Sequence, residues 1–188
     1  MFYWSILFLV QTSAGFIIGL LIKRLYYAAY TDGLTGLWNY SYFYRAISSL
    51  HRSSGSCCLF CLDLDNFKHI NDTQGHPAGD KVLCKVSDIL RQNSRDVDIV
   101  ARLGGDEFSL LLPNTSLEKA LEVAGHIRQE VASQFRETTI SIGIGVSCPE
   151  ASADQLISLA DQALYQAKNN KNRICHLTFA ECSSSPLK

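Results

Sequence analysis

Four acidic residues fall in two short clusters, Asp63 with Asp65 and Asp106 with Glu107, each at the border of an apolar run. Two-residue spacing directs Asp63 and Asp65 to one face if the strand-like run from Cys57 to Leu62 continues through them. Asp106 and Glu107 follow Gly104-Gly105 between two further strand-like runs, which places them at a hairpin tip. If that hairpin packs beside the first strand, four carboxylates converge at one end of a sheet. Like charges at close range repel and raise one another's pKa, so such a cluster is costly without a cation. Oxygen ligands with room for waters and phosphates suit Mg2+ or Mn2+ better than zinc. Two ions held this way can activate a hydroxyl and stabilise a leaving oxygen in phosphoryl transfer.

Between the clusters lies Asn66-Phe67-Lys68-His69-Ile70-Asn71-Asp72, with Gly75-His76 and Gly79-Asp80 after it. Lys68 can meet a phosphate as a point charge. Asn71 offers a donor and an acceptor to a base edge, and Asp80 can accept from paired N–H donors such as guanine N1 and N2. The glycines at 104 and 105 let backbone approach a ligand closely. Taken singly, each of these residues also fits a helix cap, a turn or a solvated surface.

The elements that must position these groups alternate in period. Tyr40 to Leu50 reads as an amphipathic helix and His51 to Ser56 as a polar loop. Cys57 to Leu62 is a short continuous apolar run, as in a strand covered on both faces. Pro77 to Arg91 has helical periodicity. Val97 to Leu103 and Phe108 to Leu112 form the hairpin. Ser116 to Ser133 is a second long helix with Ser116 as N-cap. Thr138 to Val146 is a strand, Ala153 to Asn170 a helix, and Arg173 to Phe179 a closing strand. The class is α+β, one sheet with helices packed on it. The chain divides into 1–22, an apolar span; 23–31, a helical connector; 32–179, the catalytic domain; and 180–188, a C-terminal tail.

Of the 188 residues 47% are hydrophobic, and much of that excess lies before residue 23. A formal net charge of −1 argues against a broad nucleic-acid surface. Seven cysteines lack the spacing of a disulfide framework, and Cys58 and Cys61 have no second ligand pair for zinc. They are expected as buried thiols in a reducing cytoplasm. Met1 to Ile22 carries no charged side chain, and about 20 helical residues span a hydrocarbon core. Lys23 and Arg24 follow directly, which predicts a single-pass inner-membrane anchor with the domain in the cytoplasm. A cleaved signal peptide would carry its positive charges before the apolar stretch. A core helix of a soluble domain is the other alternative. With almost nothing ahead of the span, no extracytoplasmic sensor domain is expected.

Asp63-Leu64-Asp65-Asn66-Phe67-Lys68-His69-Ile70-Asn71-Asp72, Gly75-His76, Gly79-Asp80 and Gly104-Gly105-Asp106-Glu107-Phe108 together closely resemble the GGDEF domain of diguanylate cyclases. Asp32-Gly33-Leu34-Thr35-Gly36-Leu37-Trp38-Asn39 resembles the opening motif of that domain. Ser141 to Gly145 and Ala160 to Lys168 resemble its later ones. The resemblance covers about residues 31 to 178. It implies an adenylyl-cyclase- or palm-like fold and condensation of two GTP into cyclic di-GMP across a homodimer. It further implies two Mg2+ (or Mn2+) ions per half-site, held by Asp63, the Leu64 carbonyl and Asp106 with Glu107 assisting. Asp106 would take the proton of the attacking 3′-hydroxyl. Lys68 would stabilise phosphate charge, and backbone N–H groups near Asn66 and Phe67 would cradle the phosphates. Asn71 and Asp80 would read guanine, with His76 nearby. Lys168, Lys171 and Arg173 stay open as further phosphate cations. Arg95 and Asp98 sit where the family carries its Arg-x-x-Asp product-inhibition site, although such a pair is also an ordinary helix-end ion pair. The alternative to an active cyclase is an inactive sensor that binds GTP or cyclic di-GMP.

Overall fold

The computed structural model describes residues 2–53, 57–147 and 151–179. Helix α1 runs unbroken from Phe2–Tyr30, so the apolar span and the connector are one 29-residue rod. After it come β1 (Trp38–Asn39), α2 (Tyr40–Ser53), β2 (Cys57–Asp65), α3 (Phe67–Gln74) and α4 (His76–Gln92). Then follow β3 (Ile99–Gly104), β4 (Glu107–Pro113), α5 (Leu117–Gln134), β5 (Thr139–Val146), α6 (Ala153–Lys168) and β6 (Ile174–Thr178).

The six strands form one mixed sheet in the order β1-β3-β4-β2-β5-β6. β2 lies at its centre, antiparallel to both β4 and β5. The chain reaches the two edges by parallel pairings, β1 with β3 and β6 with β5. A central strand with helices on both sides must be apolar on both faces, which is why residues 57 to 62 of β2 form an unbroken apolar run. Cys58, Phe60, Leu62 and Leu64 pack with α4 and α5 through Val86, Ile89, Ala124 and Ile127. Cys57, Leu59 and Cys61 pack with Phe43 and Ile47 of α2 and with Leu156 and Ala160 of α6. Each fully buried large apolar side chain contributes about 1.5–3 kcal/mol. The sheet is therefore covered on both faces, as the continuous apolar run of β2 predicts.

The cysteines of β2 are buried free thiols, as expected, whereas Cys84 on α4 and Cys175 on the edge strand β6 are free thiols only partly buried. Ser116 caps α5 by accepting from the Lys119 N–H. The polar loop predicted from His51 is helical through Ser53, and residues 54–56 lie outside the described part, as does the expected tail from 180. The eight-residue helix α3 is not legible by period. Only Phe67 and Ile70 of it are buried, too few apolar positions to show a stripe.

In β5 the residues between the isoleucines are not a solvated face. A Cβ on Gly143 would stand 2.1 Å from the Leu164 nitrogen and 2.4 Å from the Ala160 carbonyl. The glycines thus let α6 lie directly on the strand. Ala160, Leu164 and Lys168 recur at four-residue steps, so the helix row that rides on β5 ends in Lys168.

Candidate active site

β2 stays in register with β4 up to the pair Asp63–Glu107, and it runs on to Asp65 against Thr139 of β5. Between β3 and β4 the chain turns at Gly105-Asp106, with Gly105 at φ +49°. That value is in the left-handed region where glycine has no Cβ penalty. The Leu64 N–H points to the Asp106 carbonyl at 3.4 Å, which ties the turn to the strand bearing Asp63. Asp63, Asp106 and Glu107 therefore share one end of the sheet, as their spacing predicts. Burial pushes the Asp63 carboxyl up, helped by Asp106 and Asp65, against the opposing pull of Lys168. Glu107 is raised too, by burial first and then by Asp63, Asp106 and Asp161.

Asp65 has a different role. Its side chain is fully enclosed. It accepts from Thr139 Oγ1 at 2.7 Å, Ser141 Oγ at 2.9 Å and the Asn172 N–H at 2.8 Å. Burial raises its pKa, but these bonds and Lys168 outweigh burial and hold the carboxyl below its ordinary value. The Lys168 ammonium donates to Asp63, to Asp65 at 3.0 Å and to the Leu64 carbonyl at 3.2 Å. Of the three cations left open by sequence, Lys168 therefore meets the acids. Lys171 donates to Asn66 Oδ1 at 2.7 Å. Lys171 and Asn172 both adopt positive φ (46° and 48°), a conformation uncommon for residues other than glycine.

Asn66 is left-handed at φ 62° and precedes α3 without capping it through its side chain. The chain turns there so that Phe67 is buried while Lys68 faces solvent. The first-turn N–H groups of such a helix have no intrahelical acceptor, which gives a backbone anion cradle beside an exposed cation. Asn71 lies on α3, while His76 and Asp80 lie exposed or partly exposed on the first turns of α4. The two helices approach so closely that a Cβ on Gly79 would stand 2.0 Å from Asn71 Oδ1. That glycine brings the two proposed base readers onto adjoining helices.

Arg95 and Asp98 lie apart from this centre, in the turn before β3. The Arg95 guanidinium donates to Asp98 at 2.7 and 3.1 Å, to the Pro113 carbonyl at 3.1 Å and to Thr115 Oγ1 at 2.8 Å. The ion pair read from spacing is formed, with Asp98 buried and Arg95 half-exposed. Both border a cleft of about 360 Å³ whose other wall includes Tyr27 and Thr31 from the end of α1.

Two features escape sequence reasoning. Arg102 joins the opening motif to the hairpin by bonding Asp32, and Asp161 adds its charge beside Glu107. Arg102 and Asp32 are 70 residues apart in the chain, and only the parallel pairing of β1 with β3 brings them together.

A mixed sheet with an acid-bearing hairpin at one end and a helix N-terminus beside an exposed lysine next to it defines an α+β domain suited to a phosphorylated ligand. Residues 29–173 match the family described as "Diguanylate cyclase, GGDEF domain", and the chain belongs to that family. It is 40% identical over 161 residues to diguanylate cyclase DgcM of Escherichia coli (strain K12), covering 81% of this chain and 39% of that protein. It is 36% identical over 154 residues to the response regulator PleD of Caulobacter vibrioides (strain NA1000 / CB15N), covering 74% of this chain and 34% of that one. The chain thus spans well under half the length of these relatives. Among solved structures it is similar to the coiled coil and GGDEF domain of DgcB from Caulobacter crescentus in complex with c-di-GMP. The TM-score is 0.84 with 28% identity, over 89% of this chain and 95% of that one.

Proposed function

We propose that this chain is a membrane-anchored diguanylate cyclase that condenses two GTP into cyclic di-GMP and two pyrophosphates. The observation that carries the reading is the register pair Asp63–Glu107, with Asp106 in the turn beside it, at the open end of the sheet. Among the described residues no three His, Cys, Asp or Glu side chains form a ready-made metal cluster. The donor set nevertheless fits a hard divalent ion, because it is all oxygen and the acids raise one another's pKa. Asp63, the Leu64 carbonyl and Asp106, with Glu107 assisting, would hold Mg2+ or Mn2+, up to two per half-site. The metal would stabilise charge on the phosphates and lower the pKa of the attacking hydroxyl.

The chain's own residues do the rest. Asp106 accepts the 3′-hydroxyl proton. The α3 N-terminus at Asn66 and Phe67 and the Lys68 ammonium hold the phosphates, and Asn71 and Asp80 orient guanine, with His76 at the rim. Gly104 and Gly105 leave the hairpin tip bare for close approach of the substrate. One domain presents one GTP, so the reaction needs two copies facing each other, and dimerisation becomes a control point. Support for the dimer comes from DgcB. The structure that includes its coiled coil matches 89% of this chain, whereas its GGDEF domain alone matches 79%.

The anchor reading rests on α1, which is long and apolar enough to cross a membrane, with none of its apolar window buried against the rest of the chain. The cleft bordered by Arg95 and Asp98 is the proposed site of product inhibition, at which cyclic di-GMP would displace part of the present ion-pair network.

Incubating the protein with GTP and Mg2+ and separating the products tests the activity. Cyclic di-GMP should form, and Asp106→Ala should abolish it with the fold intact. A dimeric protein that binds GTP yet makes none would instead be the sensor.

A further inference from the structure

Lys168 is the last residue of α6, and the row Ala160-Leu164-Lys168 lies along β5 because Gly143 admits the helix backbone. Its position is therefore set by packing rather than by a free side chain on a loop. Its ammonium has three donors, and three acceptors surround it: Asp63 Oδ1, the Leu64 carbonyl and Asp65 Oδ1. Two of these, Asp63 and the Leu64 carbonyl, are the ligands assigned above to the metal. The third, Asp65, is enclosed and anchored independently by Thr139, Ser141 and the Asn172 N–H.

We propose that Lys168 is the resident counter-cation of the metal seat, which a divalent ion must displace in order to bind. The inference rests on the reading of Asp63 and Leu64 as metal ligands. In the metal-free protein the Lys168 ammonium offsets one of the two negative charges of Asp63 and Asp65. Without it the enclosed Asp65 and the partly buried Asp63 would face each other with no cation between them. Entry of the metal takes Asp63 and the Leu64 carbonyl away from the ammonium. Lys168 keeps its bond to Asp65, so it pivots on the buried acid and presents its ammonium at the mouth of the site. The seat is thus closed by a device of the protein's own until a stronger cation arrives. Metal affinity without nucleotide is lowered by the fraction of time the seat is taken.

Calorimetric titration of Mg2+, and separately of Mn2+, into the full chain without nucleotide tests this. Lys168→Met should bind either ion about tenfold more tightly than the unaltered protein, if the seat is taken roughly nine-tenths of the time. Lys168→Arg, which keeps the cation, should remain within about threefold of the unaltered protein by the same relation. Equal or weaker binding by Lys168→Met overturns the proposal. An independent readout needs no variant that could misfold. In protein with 15N-labelled lysines, the Lys168 ammonium signal, protected by three acceptors, should shift and exchange faster on saturation with Mg2+. A signal unmoved while the metal is bound overturns the proposal as well. Product formation from GTP is followed in the same preparation. Cyclic di-GMP synthesis with unmoved metal affinity in Lys168→Met retires the Lys168 role alone. A chain that binds no divalent ion and makes no product retires both readings.

Discussion

Arg102 clamps the signature hairpin to the opening motif: its Nη1 donates to Asp32 Oδ1 at 3.0 Å, while Nε and Nη2 donate to the Gly105 carbonyl at 3.0 and 2.8 Å. Asp32 also caps its own turn, accepting from the Thr35 N–H at 2.9 Å and Thr35 Oγ1 at 2.6 Å. Two residues beyond the end of α1, the chain is thereby coupled to the turn that carries Asp106. The helix end is tied down from the other side by Asn39, which donates to the Ala29 carbonyl, and by Tyr27, whose ring stacks on Trp38.

Arg102→Ala frees the Gly105 carbonyl and lets the tip move. Cyclase turnover should fall at least about tenfold, because small displacements of positioned groups are costly in rate. Stability should drop by only about 1 kcal/mol, since the pair is partly exposed. Turnover equal to that of the unaltered protein would show that the clamp does not position Asp106.

The same pair sets a pH dependence. Burial raises the Asp32 carboxyl, but the Thr35 hydrogen bonds and Arg102 outweigh it and hold the group below its ordinary 3.8. A depressed acid contributes stability that is present above the unfolded pKa and lost as pH falls through the folded one. Denaturant unfolding of Asp32→Asn should therefore show a deficit of about 1 kcal/mol at pH 7 that narrows below pH 3.8. A gap that stays constant with pH would mean the charge is not what stabilises.

Gly79→Ala should act on binding more than on folding. The new Cβ would meet the Asn71 amide at 2.0 Å, and that side chain is the part able to move. Displacing one base contact costs about 1 kcal/mol, so KM for GTP should rise about fivefold with little change in the thermal midpoint. An unchanged KM would remove Asn71 from the base-reading set.

Arg95→Ala should relieve inhibition by cyclic di-GMP, raising the half-inhibitory concentration by at least about tenfold, as expected on removal of a charged bidentate contact. Initial rates measured before product accumulates should hardly change, because Arg95 stands apart from the catalytic acids. Inhibition that persists would place the product at another surface.

Residues close in sequence determined much of this protein by themselves. The two-residue step of Asp63 and Asp65, the Gly104-Gly105 turn with its acids, and the continuous apolar run of β2 are short-range patterns, since strand alternation and turn geometry are local properties. They were enough to predict the hairpin, the acidic sheet end and the family resemblance. What tertiary structure alone decided is which partners those residues meet. Asp63 and Asp65 look equivalent in the chain, yet one faces the site while Thr139, Ser141 and Asn172 enclose the other. Lys168 is 105 residues from Asp63, and no spacing rule links them. The link is made by β5 pairing with β2 and by glycines that let α6 settle on β5, so that close packing, rather than the order of residues, delivers the cation to the acids.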